Sequence, residues 1–291
     1  MHPCALVRPR IRGVPLLSQR PRSGVTFVAI AKPFGVSPPR PTLARHKPTS
    51  MEQNQVPTTG QVIYGPASSV RTFLSHVFAY MATALVISGV LAWLFGTNAE
   101  LVSILRDAVT GRPTMLGWVV MLAPLGLVFL MGGMVEKMSG GVLLAVFILY
   151  SALTGMSLSY IFWIYNLASV GKVFFMSAGL FGIMAVAGYT TKTDLTKLGS
   201  ILFIGLIGIV IASLVNLFMG SSTMDYVISI IGVIVFTGLT AYDMQRLKRL
   251  GDVVGTGTEA AQKMALMGAL SLYLDFINLF LMLLRLFGRR N

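Results

Sequence analysis

Residues 269–287 read ALSLYLDFINLFLMLLRLF, an apolar run that holds a single carboxylate, Asp275, near its middle. The run extends back to about Ala265, and a helix needs about 20 apolar residues to cross a bilayer. Asp275 lies ten residues in from Ala265, or about 15 Å of helix rise, which is near mid-membrane. A charged Asp at that depth costs about 2.5–3.5 kcal/mol on insertion scales. Keeping it protonated at neutral pH costs roughly 4 kcal/mol, at about 1.36 kcal/mol per unit. The two penalties are similar, so the group is poised between protonation states. Ser271, Asp275, Asn278 and Arg285 are spaced by four, three and seven residues, which forms one polar stripe along the helix. Lipid cannot satisfy such groups, so the stripe is expected to face other helices or water.

The rest of the chain agrees with a membrane setting. Of 291 residues, 55% are hydrophobic and 11% charged, with mean hydropathy +0.76. Soluble domains carry about 25% charged residues, so the composition places the chain among membrane proteins. The formal net charge of +13 belongs largely to one segment. Residues 1–50 carry Arg8, Arg10, Arg12, Arg20, Arg22, Lys32, Arg40, Arg45 and Lys47 with no acid, and hold nine of the 13 prolines. This segment reads as a disordered, basic, proline-rich extension. It lacks the apolar core of a secretory signal. Met51, opening MEQNQ, is the expected true start, and an organellar address is the other reading. Residues 51–72 then form an N-terminal cytoplasmic segment and 73–291 a seven-span membrane domain. The one cysteine, Cys4, supports neither a disulfide framework nor a thiolate metal site.

Apolar runs at about 73–95, 115–134, 142–164, 171–190, 199–218, 226–247 and 265–287 predict an all-α integral membrane protein, a bundle of seven transmembrane helices. Trp93, Trp118 and Trp163 fall near span ends, where an interfacial aromatic belt places them. Arg71, Lys137, Lys192, Lys197, Arg246, Lys248, Arg249 and Lys263 share one side of the membrane in this topology. Arg106, Arg112, Lys172, Arg289 and Arg290 share the other. The bias favours a cytoplasmic N-terminus and an external C-terminus. Ser151, Gly155 and Ser159, four residues apart in span three, let another helix backbone approach closely. Pro124 reads as a kink between packed helices.

Ten acids follow Met51, and eight of them can be placed in loops or at the rim. The other two are Asp275 and Asp243, the latter in FTGLTAYDMQRLKRL (236–250) one turn from Arg246, Lys248 and Arg249. Taken alone, Asp243 fits an interfacial residue snorkelling outward. Two inward carboxylates on successive antiparallel spans carry a sharper meaning. If they approach, both cannot ionise comfortably and they share one proton. Doubly ionised, they repel each other or attract a hard cation that takes oxygen ligands. No Cys or Glu accompanies them in the spans, and the one His there, His76, lies near the start of span one, which argues against transition-metal chemistry.

AYDMQRL (241–247) followed by ALSLYLDFINLFLMLLRLFG (269–288) resembles the Bax-inhibitor family of seven-span membrane proteins, bacterial members included. YGPASSVRTFLSHVF (64–78) is similar to the family's bacterial N-terminal region, so the resemblance covers about 60–291. It implies a bundle whose seventh helix is central, wrapped by the other six. It also implies a calcium leak gated by an aspartate pair, which falls here on Asp243 and Asp275 as pH sensor and transient calcium site. Ser271 and Asn278 are the supporting polar residues. Some family members place an arginine at the end of span two that hydrogen-bonds the pair. Here VEKMSG (135–140) offers Lys137, and lysine cannot make the same bidentate fork. The loop from Leu247 to Lys263, with its glycines and Thr256, looks longer than the family minimum.

The expected function is therefore a pH-sensitive calcium leak of a bacterial inner membrane, with an organellar membrane as the lesser alternative. No enzymatic activity and no cofactor are expected beyond calcium as permeant ion. The expected partners are the lipid bilayer and calcium, with no nucleic acid. A second reading is a non-transporting regulator that binds a membrane protease or a stress or cell-death partner. A di-aspartyl intramembrane protease is the remote third. That chemistry needs Gly-x-Gly-Asp at the second carboxylate and a Pro-Ala-Leu after it, whereas this chain has LYLD and no such tripeptide follows. No Gly-rich phosphate loop or nucleophile elbow is present.

Overall fold

A computed structural model of the chain describes residues 67–107, 112–254 and 257–291. The extension 1–50, Met51 and most of the segment up to Phe73 lie outside the described residues, as does Thr256. The described elements are helices: α1 (Ala67–Thr97), α2 (Ala99–Leu105), α3 (Met115–Met134), α4 (Gly140–Leu158), α5 (Ile161–Ile164), α6 (Leu167–Thr190), α7 (Thr196–Met219), α8 (Ser222–Val253) and α9 (Glu259–Phe287). Seven of them are long and apolar enough to cross a membrane, with α4 and α5 together making one span. The seven predicted spans are thus all present.

Short polar residues cut the apolar sequence into these helices. Asn98, Thr114, Ser139, Asn166, Ser221 and Thr258 each accept a backbone N–H of the following first turn through the side chain, relieving donors that have no intrahelical partner. Gly220 ends α7 at φ 62°, a left-handed position that glycine adopts without steric cost.

The seventh span is the core of the bundle. In α9, 78% of the membrane-crossing window is buried, against 17% in α3 and in α7. α9 packs against α1, α4, α6 and α8. Enclosure by all six other spans is not what forms, because α3 lies outside α4 and α7 lies outside α8. The most apolar span, α7, is therefore among the most exposed. That inversion follows from a lipid solvent, where an all-apolar helix gains nothing by moving inside.

Two glycines set how closely the helices meet. A Cβ on Gly155 of α4 would lie 2.5 Å from the Ser88 carbonyl oxygen of α1. One on Gly188 of α6 would lie 2.1 Å from the Ala241 carbonyl oxygen of α8. Only glycine permits either contact. The small-residue stripe in span three thus serves packing against α1, as its spacing predicts. Trp93, Trp118 and Trp163 are each about half exposed and fall at one end of the bundle, where α1 ends, α3 begins and α5 sits.

Two expectations need correction. α8 does not stop near Leu247 but continues to Val253, and α9 begins at Glu259, so the predicted 247–263 loop is mostly helix. Gly251 explains the extension: it packs against Val70 and Phe73 of α1, which gives the last turns of α8 a partner beyond the apolar run. Span three is not one helix, because Ser159 and Tyr160 interrupt it before the single turn of α5. Pro124 lies within α3, which continues through it.

Candidate functional site

Asp243 of α8 and Asp275 of α9 are both buried, at 7% and 6% exposure. The two helices are antiparallel neighbours, and one hydrogen bond fixes their register at the carboxylates. The Ser271 hydroxyl donates to Asp243 Oδ2 at 2.8 Å. Ser271 and Asp275 share a face of α9, separated by one turn or about 6 Å of rise. Asp243 therefore meets α9 one turn from Asp275. Close packing surrounds it: Gly188 brings the α6 backbone onto Ala241, and a Cβ on Gly268 of α9 would lie 2.4 Å from Leu247.

A cavity of about 50 Å³ lies between α8 and α9, lined by Asp243, Ser271, Arg246, Leu250 and Met264 among others. One water needs roughly 10–15 Å³ on this measure, so the space holds a few. It runs from the buried carboxylate toward the end of the bundle where α8 leaves the membrane. Arg246 places a cation within the same cavity. Room for a few waters, a carboxylate and a nearby cation are the chemical content of the site.

On the opposite side of α9 lies a polar cluster that sequence reasoning missed. The Ser88 hydroxyl donates to the Ser151 carbonyl at 2.7 Å and lies 2.6 Å from the Tyr273 hydroxyl. Ser88 has one proton, given to the carbonyl, so Tyr273 donates to Ser88. Tyr273 is fully buried, with the Tyr150 ring edge-on at 5.5 Å. α1, α4 and α9 are tied together at this point. A tyrosine inside an apolar run is the only sequence signal for it, and its partner lies 185 positions away.

At the end where α8 leaves the membrane, the α6–α7 connection is fastened to α8. The buried Gln245 side chain donates to the Thr193 carbonyl at 2.8 Å and accepts from the Leu195 N–H at 2.9 Å. Arg249 pairs with Asp194 at 2.7 Å and also donates to Gln245 and Thr196. Lys248 reaches the Tyr189 carbonyl at 2.8 Å and covers that ring. Hydrogen bonds from Thr196 and Arg249 hold the Asp194 carboxyl well below the usual carboxylate range. Gln245 closes this connection, yet no motif announced it.

The other residues predicted for the site are Asn278, Lys137 and Arg285. Asn278 is half-buried and donates to the Leu274 carbonyl of its own helix at 2.8 Å. Lys137 lies exposed in the turn between α3 and α4, while Ser271 donates to Asp243. Arg285 is exposed in the last turn of α9, so the inward stripe ends at Asn278; a long cationic side chain there reaches the interface and complements the helix C-terminus. Among the described residues, no three His, Cys, Asp or Glu side chains gather. A hard cation at the pair would therefore complete its usual 6–8 oxygen ligands with carbonyls and water.

Seven apolar spans, one of them central and carrying a buried carboxylate, define a multi-pass integral membrane protein. The chain belongs to the Bax-inhibitor family: the family described as "Inhibitor of apoptosis-promoting Bax1" matches residues 70–291. Among its relatives, inner membrane protein YbhL of Escherichia coli is 45% identical over 230 residues, covering 79% of this chain and 96% of the relative. An uncharacterized protein of Borreliella burgdorferi is 46% identical over 219 residues, 75% of this chain and 92% of the relative. One from Rickettsia prowazekii is 42% identical over 225 residues, 76% and 91% of the two chains.

Proposed function

We propose that this protein is a pH-sensitive calcium leak of a bacterial inner membrane, gated by the Asp243–Asp275 pair. The observation that carries the reading is the Ser271–Asp243 hydrogen bond, which joins one buried carboxylate to the helix turn adjoining the other. With one proton shared, the α8–α9 seam stays closed. With both ionised, the carboxylates repel each other and attract a hard cation into oxygen ligation. The cavity beside Arg246 supports hydrated access from one end. The reading invokes no covalent chemistry and no resident cofactor. The inner-membrane assignment rests on the name of the E. coli relative.

Calcium entry into proteoliposomes holding the purified full chain tests it. Uptake that scales with protein content supports a leak. Uptake equal to protein-free vesicles overturns it and favours a regulator that binds a membrane protease or stress partner.

The proposal also takes the N-terminus as cytoplasmic, supported by Lys192, Lys197, Arg246, Lys248, Arg249 and Lys263 at the end where α8 leaves the membrane. In a Cys4→Ser background, a cysteine at Lys192 should resist an impermeant thiol reagent added outside intact cells, while one at Asn98 should react. The reverse pattern contradicts the orientation.

A further inference from the structure

A second cavity, of about 290 Å³, lies between α1, α5, α6 and α9 and shares no lining residue with the Asp243 cavity. It opens sideways: Gly89 and Trp93 on α1 and Leu167 on α6 are exposed at its rim. Its inner wall is the central helix, through Ile277 and Phe280. We propose that this groove is a binding site for one acyl chain of a membrane phospholipid, which thereby reaches the core helix.

The lining selects hydrocarbon. Apart from Ser88 the walls are carbon and ring surface, and the Ser88 hydroxyl is already engaged with Ser151 and Tyr273. A buried water needs two to four polar partners, which this groove does not offer. The length suits an acyl chain. On α1 the groove runs from Trp93 to Leu85, about 12 Å of helix rise, beside roughly 15 Å for half a hydrocarbon core. Its mouth lies at the tryptophan end and its floor near mid-membrane, so it parallels the lipid tails of one leaflet. A hydrocarbon chain lying along this length meets apolar wall on its α1, α6 and α9 sides. The opening exists because Gly89 and Gly171 carry no side chains: a Cβ at either meets nothing within 4 Å.

That property supplies the test. Gly89→Leu with Gly171→Leu adds bulk to the groove from two positions where a Cβ meets nothing. Gly126→Leu makes the same change on the exposed face of α3, where a Cβ also meets nothing. The full chain is reconstituted in phosphatidylethanolamine–phosphatidylglycerol vesicles, extracted in mild detergent and weighed by native mass spectrometry. Wild type and Gly126→Leu are expected to retain one phospholipid, and the filled variant to retain it about tenfold less. A wild type that carries no lipid, or equal retention in the filled variant, overturns the proposal. So does a wild-type dimer that the filled variant abolishes, which would assign the groove to a second copy. A second measurement leaves the groove intact. Trp118→Phe with Trp163→Phe leaves Trp93 as the only indole of three, and acyl-brominated phosphatidylcholine replaces the vesicle lipid. Quenching of Trp93 should persist after extraction into lipid-free detergent; full recovery of its fluorescence contradicts a retained chain.

Discussion

Ser271 on the central helix donates a 2.8 Å hydrogen bond to Asp243 on the neighbouring one, a side-chain hydrogen bond that joins α8 and α9. Removing it strips a donor from a carboxylate that is 7% exposed. Ser271→Ala should lower stability by about 1–3 kcal/mol, read as a lower thermal midpoint in detergent. Ser271→Thr keeps the hydroxyl and should restore most of it. Equal loss in both variants would mean that shape, not the hydrogen bond, matters there.

Gly188 and Ala241 hold α6 against α8 next to that carboxylate. Gly188→Ala forces a methyl into the Ala241 carbonyl, and overpacking of this kind costs about 1–3 kcal/mol. Gly126→Ala faces open space on α3 and should be neutral or slightly stabilising through helix propensity. Thermal midpoints of the two variants give the comparison, and equal midpoints would contradict the close approach.

The Ser88–Tyr273 contact predicts an asymmetry. Tyr273→Phe leaves Ser88 still bonded to the Ser151 carbonyl and should cost about 1 kcal/mol. Ser88→Ala leaves a buried phenol and a carbonyl short of a partner, which should cost about 1–3 kcal/mol. The double variant should cost less than the two single losses added, because the groups act as a unit. Additive losses would show that the hydroxyls do not interact.

Gln245 and Asp194 both fasten the α6–α7 connection, with unequal expected weight. Gln245 is buried and satisfies two backbone groups, so Gln245→Ala should destabilise by about 1–2 kcal/mol and speed tryptic cleavage at Lys192 and Lys197. Asp194 is solvent-exposed, and Asp194→Asn should barely change cleavage. Its depressed titration gives a clear sign. A carboxyl held below its unfolded value near 3.9 stabilises fully above that pH and loses the effect as pH falls through the lower folded value. Across pH 5–8 the pair is unchanged, so Asp194→Asn should leave any pH response of flux in place.

The number of spans was legible because apolar length is a direct readout of bilayer thickness, whereas the caps at Thr114, Ser139 and Asn166, which set where three helices start, went unread. The central place of α9 came from the family resemblance, while the inward turn of the Asp275 face was legible from the residues, since a mid-span carboxylate cannot face lipid. Enclosure by four helices was not, because α3 and α7 are apolar all round and nothing in their sequence distinguishes a protein-facing side. The end of α8 was misread because its last turns rest on Val70 and Phe73 rather than on hydropathy. Ser88–Tyr273 and Gln245–Thr193 join residues far apart in sequence, where periodicity carries no information. Arg285 was misassigned because a seven-residue spacing gives only direction, and a side chain in the last turn escapes to water.

The central claim is that Asp243 and Asp275 titrate as one unit that sets cation flux. Calcium entry into proteoliposomes across pH 5–8, compared among wild type, Asp243→Asn, Asp275→Asn and the double variant, tests it most directly. Asparagine keeps the shape but cannot ionise, so either single change should flatten the pH dependence and the double should add little. A wild-type pH profile that survives in Asp275→Asn would contradict the account.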